Sequence, residues 1–243
     1  MKMLLFSKRN FKEILRDPLN LSFLFGFPVV LLVLLSAIQA NIPVSMFEIQ
    51  HLAPGIAVFG LAFMTLFSAT LIAKDRQSSF MHRLYTTPMR PADFILGYTL
   101  PLIPVALLEG VACYGFSLLL KLEFQANLLL ALLLLLPVAL LYIGLGLLCG
   151  SVFNDKQVGG ICGSLLTNVS AWLSGIWFDL SLIGGGFQKF ANLLPFVHAV
   201  EMERAAIAGN YADILPHFWW VLGYVAVILP LAVWLFLRQM KRQ

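Results

Sequence analysis

KDRQSSFMHRLYTTPMRPAD, residues Lys74 to Asp93, carries four of the chain's sixteen Lys and Arg residues in twenty positions, between two long apolar runs. The flanks of this polar island decide the fold. Apolar runs near or above eighteen residues recur along the 243-residue chain, which is 60% hydrophobic and only 12% charged, with a mean hydropathy of +0.89. Crossing a hydrocarbon core takes ~20 apolar residues, so the runs read as membrane helices. The expected architecture is an all-α polytopic membrane protein with a single transmembrane domain over 1–243 and six spans at 19–39, 52–73, 94–120, 126–150, 157–178 and 218–237.

Orientation follows from the basic residues. The N-terminal segment, the island, Lys156 and the C-terminal tail hold thirteen Lys and Arg, against Lys121, Lys189 and Arg204 on the other side. The excess predicts that both termini and the island are cytoplasmic; the membrane itself is expected to be a plasma or bacterial inner membrane. The basic balance is thereby assigned to span ends, and nothing in it calls for nucleic acid. Cys113, Cys149 and Cys162 lie inside apolar runs and read as small hydrophobes, without metal-ligand spacing.

Residues 2–16 fit a basic amphipathic helix at the membrane interface, with Met3, Leu4, Phe11, Ile14 and Leu15 on one face and Arg9, Lys12, Glu13 and Arg16 on the other. Leu5 and Phe6 break that pattern, and the stretch does not read as a signal peptide. Gly159 and Gly163 have the small-x-x-x-small spacing that permits close helix contact. Segment 179–217 reads as a partly embedded external cap of short re-entrant helices, with Val200 to Ala208 ended by Gly209. The charges of His198, Glu201 and Glu203 read as a solvated face there.

Glu109, inside the third span, is an intramembrane carboxylate and so a functional candidate by default. It is a proton or cation site in an ATP-independent secondary carrier, a polar group near an export path, or a protonated acid hydrogen-bonded to a neighbouring helix. Thr65, Ser68, Thr167 and Asn168 are polar residues of the second and fifth spans, placed either along a substrate path or in bonds between helices. The chain contains no Gly-x-x-x-x-Gly-Lys-[Ser/Thr] loop, so ATP-driven transport would need an ATPase on another polypeptide. Within the island, Phe80, Leu84 and Tyr85 share one face of a short helix, Arg83 projects away from it, and Thr87-Pro88 ends it. Such a helix suits docking into a groove on a cytoplasmic partner, or binding to lipid headgroups. Lys74, Arg76 and Arg90 read as headgroup anchors.

Three stretches resemble the type-2 ATP-binding-cassette exporters, the group of drug, polysaccharide and Nod-factor export permeases. They are Leu52-Ala-Pro-Gly-Ile56 leading to Lys74-Asp75-Arg76, then Arg83-Leu-Tyr-Thr-Thr-Pro-Met89, which is similar to the family's Arg-Leu-x-x-Thr-Pro-Leu. The third is Asn192-Leu-Leu-Pro-Phe196 through Glu203-Arg-Ala205 to Gly209. The resemblance implies that 2–16 is a connecting helix and 77–87 the coupling helix, with Phe80, Arg83, Leu84, Tyr85, Thr87 and Pro88 facing an ATP-binding-cassette ATPase. It implies a homodimer or a pair with a sister permease, ATP and Mg bound by the ATPase and no cofactor on this chain, and an amphipathic or lipid-linked substrate moved outward. The family's glutamate-rich stretch after the second span is missing: Asp75 is followed by Arg76, Gln77 and Ser78, which leaves open which residue meets a basic partner on the ATPase.

Overall fold

The computed structural model of the protein describes residues 2–42, 47–78 and 91–240, and every regular element among them is helical. Helix α1 is Lys2–Leu15; α2 is Pro18–Asn41, with a π-helical stretch at Ser22–Gly26; α3 is Ile49–Gln77. Helix α4 joins Pro91–Thr99 to Leu102–Leu119 across Pro101, and α5 is Asn127–Val152. Helix α6 runs through Asp155–Val158, a π-helical Gly159–Leu166 and Thr167–Trp172. After it come α7 (Leu180–Ile183), α8 (Gly185–Leu193), α9 (Pro195–Ala208) and α10 (Tyr211–Met240).

Five helices, α2, α3, α4, α5 and α10, are long and apolar enough to cross a membrane. The sixth expected span, 157–178, takes a different form. Its helical pieces of 4, 8 and 6 residues begin on Asp155, Lys156 and Gln157 and stop at Trp172, short of ~20 apolar residues. Gly175 then turns the chain at φ +72°, a conformation that favours glycine. The last span begins earlier than its apolar run: α10 starts at Tyr211 and passes through Pro216, leaving 179–210 to the short helices α7, α8 and α9. Helix α3 likewise continues past 73, through Lys74, Asp75 and Arg76 to Gln77.

Helix α3 is the axis of the molecule, buried along nearly all of its length. Lipid tails are as apolar as the side chains, so close packing and interhelical hydrogen bonds must hold such a helix. Small residues on α5 supply the closeness. A Cβ at Gly146 would run into Ser68 and the Thr65 carbonyl, and one at Gly150 into the Ala69 backbone. Along the same seam Thr65 Oγ1 donates to the Tyr142 carbonyl at 3.1 Å, and Ser68 Oγ reaches the Ile143 carbonyl at 3.2 Å. Gly146 and Gly150 are thus the small pair at the tight crossing. At Gly159 a Cβ would meet nothing within 4 Å, and Gly163 only adjoins the Leu66 side chain, so the expected glycine pair of α6 is not the tight crossing.

Helix α1 packs against the rest of the chain through a face that shares only Ile14 with the expected apolar face. Phe6, Ser7, Asn10 and Ile14 are buried, while Leu4, Leu5 and Leu15 are exposed. Phe6 is its main anchor, with its ring edge-on to Tyr98 at 5.0 Å and to Phe94 at 6.2 Å.

Candidate functional site

The exit of α3 gathers the polar contacts of the N-terminal half. Asp75 lies one residue beyond the apolar run's last basic neighbour, Lys74, and is only 2% exposed. Arg9 of α1 grips its carboxylate with both terminal nitrogens, Nη1 to Oδ2 at 2.6 Å and Nη2 to Oδ1 at 2.8 Å. The Tyr98 hydroxyl of α4 donates to Oδ2 at 2.9 Å. A planar guanidinium suits this two-point grip as a lysine would not. Around the cluster, Arg9 also pairs with Glu13 at 2.7 Å, and Asn10 Nδ2 donates to the Gly97 carbonyl at 2.9 Å. Gly97 is required there, since a Cβ would collide with the Phe6 ring. Burial raises the Glu13 carboxyl above its ordinary value, with Arg9 pulling the other way.

Arg76, the next residue, turns to α5. Its Nη1 donates to the Gly150 carbonyl at 2.8 Å and to the Ser151 carbonyl, satisfying acceptors left open at that helix's C-terminal end. The sequence reading of Arg76 as a headgroup anchor is therefore corrected: it is a cap that ties α3 to α5. Lys74 is exposed. Together Asp75 and Arg76 brace the end of α3 against α1, α4 and α5 where the chain enters the island. Phe80, Arg83, Leu84, Tyr85, Thr87, Pro88 and Arg90 lie outside the described residues, as does most of the expected helix 77–87; Gln77 is the last residue of α3.

The intramembrane polar candidates fall in three places. Thr65 and Ser68 are buried in the α3–α5 seam, and Thr167 is buried with its hydroxyl on the Cys162 carbonyl at 2.8 Å. Asn168 is exposed, with Nδ2 donating to the Ser164 carbonyl at 2.8 Å. With Gln157 and Ser164, which are exposed as well, and the bare backbone at Gly160, it forms a polar stripe on α6 beside the exposed Leu165 and Trp172. Glu109 is fully buried; Cys113 Sγ lies 3.0 Å from its Oε1, and its Oε2 has no hydrogen-bond partner among the described residues. Gly60 of α3 makes room for it, since a Cβ there would overlap the carboxylate.

One polar residue of this region was misread in the sequence. Glu203 of α9 is fully buried rather than solvated, and accepts a 2.8 Å hydrogen bond from the Tyr114 hydroxyl of α4. The signal was present in its placement, because Glu203 continues the stripe of Phe196, Ala199, Val200 and Ala206 that packs inward. Its neighbour Arg204 pairs with Glu201 at 2.8 Å and donates to the Gly175 carbonyl at 3.1 Å. Helix α9 is thereby fastened both to α4 and to the turn after α6.

Residues 2–208 match the family model described as ABC-2 type transporter, and the chain belongs to that family. Among individual proteins it is similar to the capsule polysaccharide export inner-membrane protein CtrC of Neisseria meningitidis. Identity is 34% over 100 residues in serogroup B, covering 41% of this chain and 37% of that protein. In serogroup A it is 31% over 98 residues, covering 39% and 37%. The matched region thus spans little more than a third of the length of these relatives.

Proposed function

We propose that the protein is the membrane permease subunit of an ATP-binding-cassette exporter, moving an amphipathic or lipid-linked substrate out of the cytoplasm. Membership of the ABC-2 transporter family across 2–208 carries this reading. Relatives named for capsule polysaccharide export in an inner membrane point to a lipid-linked glycan as the first substrate class to try. The chain works with separate ATPase subunits, which bind ATP and Mg, and with a second copy of itself or a sister permease. Both termini and the island face the cytoplasm, α1 lies along the membrane interface, and α6 with its flanking turns makes the sixth crossing.

In this reading the ATPase engages 77–87 through Phe80, Arg83, Leu84, Tyr85, Thr87 and Pro88. Force applied there enters a junction in which Asp75 and Arg76 already join α3 to α1, α4 and α5. A hinge at this point would dissipate the stroke, and a braced end passes it to the most buried helix. The polar stripe of Gln157, Gly160, Ser164 and Asn168 is the face turned toward the path, since exposed amide and hydroxyl groups are costly against lipid. Thr65, Ser68 and Thr167 support packing behind it. The secondary-carrier reading of Glu109 is not favoured, because its carboxylate is sealed against Gly60 and Cys113.

The test is co-purification of the tagged chain with an ATP-binding-cassette subunit from the same genome, followed by ATPase measurement in nanodiscs. A stable complex is expected whose ATPase activity responds to lipid-linked glycan, with association weakened by Tyr85→Ala and Arg83→Ala. A chain that forms no complex with any such subunit yet transports on its own would overturn the proposal.

A further inference from the structure

The far end of the molecule holds two histidines that the transport reading does not use. His198 of α9 and His217 of α10 face each other with Nδ1 to Nδ1 at 2.8 Å and ring centroids at 5.0 Å. The proton positions follow from the third partner. His198 Nε2 lies 2.9 Å from the carbonyl oxygen of Asn192, and a carbonyl only accepts, so Nε2 carries the hydrogen. In the neutral ring Nδ1 of His198 is then the acceptor, and His217 must donate from its own Nδ1. Three elements meet in this chain of bonds: the end of α8 at Asn192, α9 at His198 and α10 at His217. A second bond runs alongside, from the Tyr224 hydroxyl of α10 to the Leu193 carbonyl at 2.7 Å. The last two carbonyls of α8 are thus held from α9 and α10, while Phe190 and Leu193 of that helix stay exposed.

We propose that the His198–His217 pair is an acid-sensitive clasp that seats α8 and α9 against α10 while at least one ring is neutral and releases them when the pair takes up its second proton. The bond needs one Nδ1 without a hydrogen. Once both rings are protonated, two N–H groups and two positive charges face each other at hydrogen-bond distance, and the contact turns repulsive. Besides the Trp220 ring of α10, whose centroid lies 4.9 Å from that of His198, the groups acting on His198 are few. Burial holds it below its ordinary value; the Asn192 carbonyl and Glu201 of α9 oppose that, while His217 of α10 acts with it. Glu201 is itself engaged by Arg204. For a histidine depressed in the clasped state, the released state binds more protons as pH falls. The clasp is therefore intact above the ordinary imidazole range and weakens as pH drops through it. That the acid acts from outside the cell rests on the proposed topology; the clasp itself does not, and its test needs neither ATPase nor substrate.

Hydrogen exchange of the purified full chain in nanodiscs, corrected for intrinsic rates, reads the clasp directly. Between about pH 7.5 and about pH 5, amides of 185–217 should lose about tenfold in protection, with those of α3 and α5 unchanged. In His217→Phe the loss should already be present at the higher pH and show no further fall, because protonating His198 alone leaves its bond to Asn192 in place. Equal wild-type protection at the two pH values overturns the proposal. So does a His217→Phe protein that keeps the wild-type pH dependence.

Discussion

Replacing Arg9 by Met probes the junction at the end of α3 most sharply. The aliphatic stem survives, and the two bonds to Asp75 at 2.6 and 2.8 Å are lost. Asp75, 2% exposed, keeps the Tyr98 hydroxyl at 2.9 Å. Stripping one partner from a fully buried ion pair costs ~3–5 kcal/mol, chiefly because the remaining charge is stranded. The Arg9 side chain is 36% exposed, so water and salt screen part of this, and the expected loss is about 2 kcal/mol. Asp75→Asn removes the charge and keeps the shape and the Tyr98 contact, for about 1 kcal/mol. In the double variant no buried charge is stranded, and the lost Arg9–Glu13 pair is common to both Met-containing variants and cancels, so the two losses should not add: a cycle of unfolding free energies in detergent should give a coupling of about 1 kcal/mol or more. Additivity within ~0.5 kcal/mol would refute the reasoning and reduce the pair to a surface contact.

Gly150→Leu should destabilise by ~3 kcal/mol or more, since its side chain has only the Ala69 backbone to displace, whereas Gly159→Ala should be neutral or stabilising by up to ~1 kcal/mol; thermal melts of the two variants decide whether α5 or α6 holds the tight crossing. Tyr114→Phe should cost ~1–3 kcal/mol by leaving the buried Glu203 carboxyl without its donor, and Glu203→Gln, which still accepts that bond, should cost less in the same melts. Arg76→Met should loosen the α5 end, raising exchange at 147–153 with α1 unaffected; an equal response in α1 would contradict the separate attachment of Arg76 and Asp75.

Membrane character was legible along the chain because it is a property of composition: an apolar run long enough to span the hydrocarbon core needs no tertiary information. The ABC-2 resemblance was legible for a similar reason, since its motifs are local and ordered. Helix ends were less so. Tyr211 to His217 falls within the stretch read as a cap of short re-entrant helices and folds instead as the first turns of α10, because those turns need only local backbone bonds and a face on α9 to rest on. In α6 a π-helical stretch at Gly159–Leu166 is followed by an α-helical piece that ends at Trp172, where hydropathy alone had drawn a straight span.

The choice of partner was a tertiary matter throughout. Phe6 looked like an interruption of an amphipathic helix and is its anchor, since the wheel shows which residues share a face and not which face finds a groove. Arg76 looked like a headgroup anchor and caps α5, because a long flexible cation takes whichever acceptors the fold places within reach. Glu203 looked solvated and lies inside, because its desolvation is offset by a tyrosine 89 positions earlier in the chain. What the sequence determined by itself were apolar length, charge asymmetry and family. Which charge meets which, at separations of tens of residues, was decided only when α3 became the axis on which the other helices close.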